Sequence, residues 1–409
     1  MFTPKLLLLA VGAVSVSAAT NTVCAQPTAT VASQADADTL QGCRTITGSV
    51  LIANTSAGAI NLDGPESISG DLICHDAGAL TTFTSSSIGS ISGTFDLNNL
   101  TVLSTLSFTD LTSVGSINWV ALPALSQLTF PSTVSKASSL IISNTFLGTL
   151  DGINLDTAAT VDINNNNRLR TFSTQIVNVT TLLNIDSNGQ QLDVEFPNLE
   201  RVANMTLRRI ASLSMPSLNQ VSGSLGIVES SITSLFAPNL TSVGVTAIGS
   251  GGLAIDTNTA LTNVTMPLLS KVGGAVQVAN NTGLFKIDFP ALSNVGGAID
   301  FSGNFTTPTL PKLSNVAGGF NMQSQSLIDC TGFQKEHDSG VIQGKYTCLT
   351  SATVHSGVGS GSSSGSSTGT ATGSASSATG TKGAAASYGV NSGAVVGLSI
   401  AGGLLQMLL

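Results

Sequence analysis

Asp193 and Glu195 stand two residues apart, a spacing that puts both carboxylates on one face of a strand. Paired acids of this kind do the proton-transfer and nucleophile work of glycosidases. The plainer reading is two solvent-facing acids on an exposed strand. Three histidines, His75, His337 and His355, lie in unrelated surroundings. Cys74 adjoins His75, but neighbours on a strand point to opposite faces, so they cannot form a nucleophile–base dyad. His, Cys, Asp and Glu nowhere recur at metal-ligand spacing. Two G-x-S-x-G matches, around Ser363 and Ser367, fall in a Ser/Gly tract that lacks the strand and helix a nucleophile elbow needs. The sequence thus nominates no catalytic residue, no cofactor and no metal.

The composition narrows what could surround such residues. Of 409 residues only 9% are charged, against roughly 25% in an average soluble domain. There are 55 Ser, 48 Thr, 43 Gly and 28 Asn, so the polar surface is built from hydroxyls and amides instead. Fourteen basic against 22 acidic residues leave a net charge of −8, with no basic stretch to neutralise phosphates. Nucleic acid is therefore excluded as a partner. One Trp and two Tyr give little material for stacking on sugars. Hydrophobic residues make up 42% and are spread along the chain, which excludes wholesale disorder.

They are also periodic. FPNLERV, MPSLNQV, APNLTSV, MPLLSKV, FPALSNV and LPKLSNV place prolines at 197, 216, 238, 267, 290 and 311. An uneven period in the low twenties points to a solenoid with insertions. After each phrase the chain alternates, as in Val276-Gln277-Val278 and Ile299-Asp300-Phe301, which means strands. Earlier segments at 46–52, 68–73, 91–97, 140–142, 161–163 and 182–185 fit more loosely. Hairpin turns and intervening helices are both missing, so the expected fold is all-β, a right-handed parallel β-helix of about 14 turns over residues 20–350. The His, Arg and Asp signatures of pectin-cleaving β-helix enzymes are not found. Gly273-Gly274 and Gly296-Gly297 mark tight corners. Asn54, Asn98, Asn144, Asn165, Asn188, Asn258 and Asn280 follow strands, where their amides stack in a ladder or simply occupy left-handed turn positions. Ser33 and Asp36 resemble a capping box, opening a short helix to Gln41 that covers the first turn.

Both chain ends read as addresses. Lys5, the apolar 6–14 stretch and Ser17-Ala18-Ala19 make a secretory signal peptide, residues 1–19. Gly383-Ala384-Ala385, a short spacer and the apolar 394–409 run make a glycosylphosphatidylinositol (GPI) attachment signal within 383–409. Gly383 fits best as the attachment residue, with Asn391 and Ser392 as alternatives. Residues 351–382, with 11 Ser, 7 Gly and 6 Thr, form a linker. A secreted chain with five cysteines implies disulfides. Cys24–Cys43 and Cys330–Cys348 bracket the two ends of the solenoid; Cys74 is left as a buried residue, a partner in a reshuffled bridge with Cys43, or a reactive thiol. Sequons occur at Asn54, Asn99, Asn178, Asn204, Asn239, Asn263, Asn280 and Asn304. Membership of the amide ladder would bar Asn280 from carrying a glycan.

Cys24, the 35–38 segment, Gly42-Cys43 and the 46–50 strand resemble the start of a receptor L domain, the leucine-rich-repeat-like β-helix of insulin- and epidermal-growth-factor-type receptors. With the repeated PxLxxVGG phrases, the Cys330 to Cys348 block and the anchor signal, the whole chain resembles the fungal GPI-anchored cell-wall organisation proteins, the yeast extracellular-mutant and sporulation-specific group. That resemblance implies a non-enzymatic surface glycoprotein needed for wall integrity and morphology. It implies a plasma-membrane tether through the GPI lipid, with wall glucan reached through the anchor remnant and other wall proteins as neighbours. A ligand-binding ectodomain and a polysaccharide-active enzyme are the rival expectations.

Overall fold

The computed structural model describes residues 22–244 and 251–351. The leader at 1–19, His355, the linker beyond Ser351 and the 383–409 segment with Gly383, Asn391 and Ser392 lie outside the described residues.

Each strand pairs in parallel with its counterpart one repeat away. Leu225–Val228 pairs with Leu253–Asp256, then Val276–Ala279, Ile299–Gly303, Phe320–Ser324 and finally Tyr346–Thr350. One 23-stranded ladder runs along the coil, beside shorter ladders of four, three and three strands. The parallel solenoid expected from the repeats is the fold. Within each repeat the Pro-x pair turns the chain, and the following Leu and Val face inward: Leu240 and Val243, Leu269 and Val272, Leu292 and Val295 are all buried. Burial of each such side chain contributes roughly 1.5–3 kcal/mol. In the N-terminal half the core is aromatic, Phe83, Phe95, Phe108, Trp119 and Phe130 meeting mostly edge to face.

The double-glycine corners stack on one another. A Cβ on Gly297 would sit 2.7 Å from the Ala275 nitrogen and the Gly274 carbonyl carbon, and one on Gly318 would meet Gly297 in the same way. Backbone passes too close for any side chain there.

At the opposite end of the strands the chain turns through a left-handed residue. Asn99, Asn144, Asn165, Thr257 and Asn280 have φ between 54° and 58°. The residue after each corner points inward, and where it is an amide it forms the ladder. Asn166 Nδ2 donates to Asn188 Oδ1 at 3.1 Å, and Asn258 Nδ2 donates to Asn281 Oδ1 at 3.1 Å and to the Ile227 carbonyl at 2.9 Å. Asn188 and Asn258 are therefore ladder residues as expected. Asn280, Asn165, Asn144 and Asn54 are exposed and are not. The amide ladder sits one residue later, at Asn166 and Asn281, because a left-handed corner swings its own side chain outward and the next one in.

Both ends of the coil are closed. Helix α1 (Gln34–Asp38) starts at Ser33, whose hydroxyl accepts from the Asp36 N–H while Asp36 reaches back to the Ala32 N–H at 3.0 Å. It ends at Asp38, before Gln41. Cys24 and Cys43 are bonded across this cap, with Cα atoms 5.5 Å apart. Helix α2 (Thr331–Asp338) closes the other end, and Cys330 is bonded to Cys348 with Cα atoms 5.9 Å apart. Phe333 of α2 packs on Phe320, which stacks on Tyr346.

Two substitution pairs test these corners by denaturant midpoint. Gly297→Ala should cost about 1–3 kcal/mol through overpacking, whereas Gly332→Ala, in α2 with nothing within 4 Å, should be neutral or stabilise by up to about 1 kcal/mol. Asn258→Ala should cost about 2 kcal/mol or more by orphaning buried partners, whereas Asn280→Gly should change stability by less than about 0.5 kcal/mol.

Candidate functional site

Asp193 and Glu195 lie on the strand Asp193–Glu195, exposed and on one face as their spacing requires. Their strand neighbours are Thr171 and Ser173 on one side and Ser212 and Ser214 on the other. Ser212 donates its hydroxyl to Asp193, and Glu195 has no side-chain bond. The pair is thus flanked by hydroxyls, with no histidine or arginine on the neighbouring strands.

One strand further on, the ladder is interrupted. The Gly148 N–H donates to Ser126 O, the Arg170 N–H to Gly148 O and the Asp193 N–H to Arg170 O, so these four turns are in register. Leu128–Thr129 and Thr171–Ser173 are strands in this region, but the turn between them bends at Leu150 to Ile153, with Gly152 at φ 95°. Gly152 lies against Phe130, where an added Cβ would sit 2.8 Å from the Phe130 Cβ. The missing rung leaves a notch of about 290 Å³ with Leu150, Ile153 and Phe172 at its base and Thr133, Asp151, Asn154, Thr171, Ser173 and Gln175 around it. Sequence reasoning found the two acids but not the notch, since nothing local marks a strand that fails to form. The irregular phrase Leu150-Asp151-Gly152-Ile153 is its one trace.

Elsewhere the candidate groups are held. Cys74 is a free, fully buried thiol on the inner side of its strand, and burial pushes it up to about 12, so it is an inert packing residue. His75 points outward, and its Nε2 lies 2.9 Å from Asp96 Oδ2. Cys74 and His75 do face apart. Among the described residues no cluster of three potential metal ligands occurs. Of the sequon asparagines, Asn54, Asn99, Asn204, Asn239, Asn280 and Asn304 are exposed and Asn178 and Asn263 half-buried.

A coil of parallel turns with helical, disulfide-closed ends defines a repeat-built solenoid protein, and the comparisons say which kind. The chain is 42% identical over 345 residues to protein ecm33 of Aspergillus fumigatus, spanning 84% of this chain and 85% of that one. It is 34% identical over 321 residues to a cell surface GPI-anchored protein of Arthroderma benhamiae, 78% and 81% of the two chains. With the cell wall protein ecm33 of Schizosaccharomyces pombe it shares 31% over 361 residues, 87% and 83%. The chain belongs to the Ecm33 family of fungal cell-wall and cell-surface proteins. No family model and no solved structure matches it.

One titratable group outside the notch sets a pH dependence. Burial raises Glu336 in α2 from the ordinary 4.5 to about 7, and its Oε2 has no hydrogen-bond partner. A raised carboxyl binds its proton more tightly folded than unfolded. Its contribution to stability is therefore complete below about 4.5 and is lost as pH rises through about 7. The C-terminal cap should unfold at lower denaturant at pH 8 than at pH 5, and Glu336→Gln should flatten that difference. Hydrogen exchange in α2 reads it directly.

Proposed function

We propose that the chain is a non-enzymatic scaffold held on the outer face of the fungal plasma membrane by a GPI lipid, where it organises the wall. The observation that carries this is the surface itself. It is a coil of parallel turns in which polar groups bond from one turn to the next, as in Asn118 to Asp96 at 2.9 Å and Asn184 to Asp162 at 2.8 Å. Such a surface offers few reactive groups. The leader at 1–19 delivers the chain, Gly383 (or Asn391 or Ser392) receives the lipid, and 351–382 spaces the coil from the membrane. Wall glucan joined through the anchor remnant, and other wall proteins, are the neighbours this places within reach. The exposed sequons, Asn54, Asn99, Asn204, Asn239, Asn280 and Asn304, are the preferred glycan sites, ahead of Asn178 and Asn263.

Complementation of a deletion strain tests the reading. Loss of the gene should make cells hypersensitive to wall-perturbing dyes. The double variant Asp193→Asn, Glu195→Gln should restore resistance fully, because no catalytic step is lost. A chain ending at Thr381 should pass into the medium and fail to rescue. Normal dye resistance of the deletion strain, or failure of the acid variant with its fold intact, overturns the proposal.

A further inference from the structure

Many polar side chains along the coil meet a copy of themselves or a complementary group one turn away. Thr45 and Ser67 share a hydrogen bond at 3.0 Å, and Asn198 Nδ2 donates to Gln175 Oε1 at 2.7 Å. The missing rung breaks that pairing. Around the notch, Thr149 occupies one oxygen of Asp151 at 2.8 Å and leaves the other unbonded. Asn154 uses its oxygen to accept from the Gln175 N–H at 2.8 Å, leaving its NH₂ group unused, and Gln175 likewise keeps its NH₂. The hydroxyls of Thr133, Thr171 and Ser173 make no side-chain bond among the described residues. Glu195 stands beside Ser173 on the next strand, also unbonded.

Five donors and the Asp151 carboxylate thus line the notch, with the buried Leu150, Ile153 and Phe172 behind them. We infer that the notch binds one or two sugar residues of a neutral β-glucan chain without covalent attachment. A pyranose ring has the matching chemistry: hydroxyls around its rim that both donate and accept. A volume of 290 Å³ lies just below the roughly 300–1,000 Å³ of small-molecule clefts, which suits a sugar unit and not a folded partner. Asp151 in the notch, with Asp193 and Glu195 on the neighbouring strand, disfavours anionic polymers. The choice of β-glucan over other neutral sugars rests on the wall placement proposed above, whereas sugar binding itself does not.

The full-length protein, in a detergent with no sugar headgroup, is titrated calorimetrically with β-1,3-glucan, chitin and α-mannan oligosaccharides. Glucan should bind in preference to the other two. Ser173→Trp, which fills the notch from an exposed strand position, and Gln175→Ala should each weaken it by about tenfold or more at unchanged melting temperature. Glu66→Gln, exposed on a distant turn, should leave it unchanged. Absence of glucan binding, preference for chitin or mannan, or equal binding by Ser173→Trp overturns the inference. Because these measurements are made on purified protein, they fail independently of dye resistance: a chain that rescues cells but binds no glucan sinks the notch alone.

Discussion

Hydrogen bonding of each turn to the equivalent residues of its neighbours is the constraint from which the remaining features follow. Parallel strands lie about 4.8 Å apart, so every position in a repeat sits directly over the same position one turn away. Where the backbone must bend sharply, that spacing excludes a Cβ, and Gly251, Gly274, Gly297, Gly318 and Gly344 stack in consequence. Where the strand ends, a left-handed residue turns the chain, and whatever follows it is delivered to the interior. A buried polar residue at that point is tolerable only if it finds a hydrogen-bond partner, which is why Asn166 meets Asn188, Asn258 meets Asn281 and Thr145 meets Asn166.

Stacking also explains the composition. An amide or hydroxyl both donates and accepts, so identical residues on successive turns satisfy one another. Two like charges at the same spacing repel, by about 1 kcal/mol even in water. A coil of this kind therefore favours Ser, Thr and Asn, and places its few acids beside amides: Asp96 under Asn118, Asp162 under Asn184, Asp300 under Asn321. The low charge that sets this chain apart is a requirement of its geometry. By the same logic, a place where one rung is absent is the place where such groups are left with bonding capacity to offer a ligand.

The ends present the opposite problem, since the first and last strands have no turn to cover them. Helices α1 and α2 and the two disulfides close them, and the C-terminal cap adds the Phe333, Phe320, Tyr346 and His337 ring stack. Fraying of an exposed strand edge is thereby limited, as is edge-to-edge pairing with other chains. A half-buried carboxyl in α2 ties the tightness of that cap to pH.

The repeat itself was legible: the Pro-x-Leu-x-x-Val phrase, the alternation after it and the double glycines define a parallel coil from local pattern alone. They do so because a solenoid's contacts recur at a fixed offset in the chain, so its long-range structure is written as periodicity. Strand faces followed from the period of two, which put Cys74 inside, His75 outside, and Asp193 with Glu195. The identity of the inward amide was not legible. Asn280 and Asn281 are adjacent and alike, and which one enters the core depends on a backbone torsion that only the stacked turn imposes. The notch was hidden for the same reason: it is the absence of a strand whose neighbours form, and that is a relation among three turns that no stretch of sequence contains. Periodic features are decided by the sequence, because each repeat carries them; interruptions are decided by packing, because only the assembled coil shows what is missing.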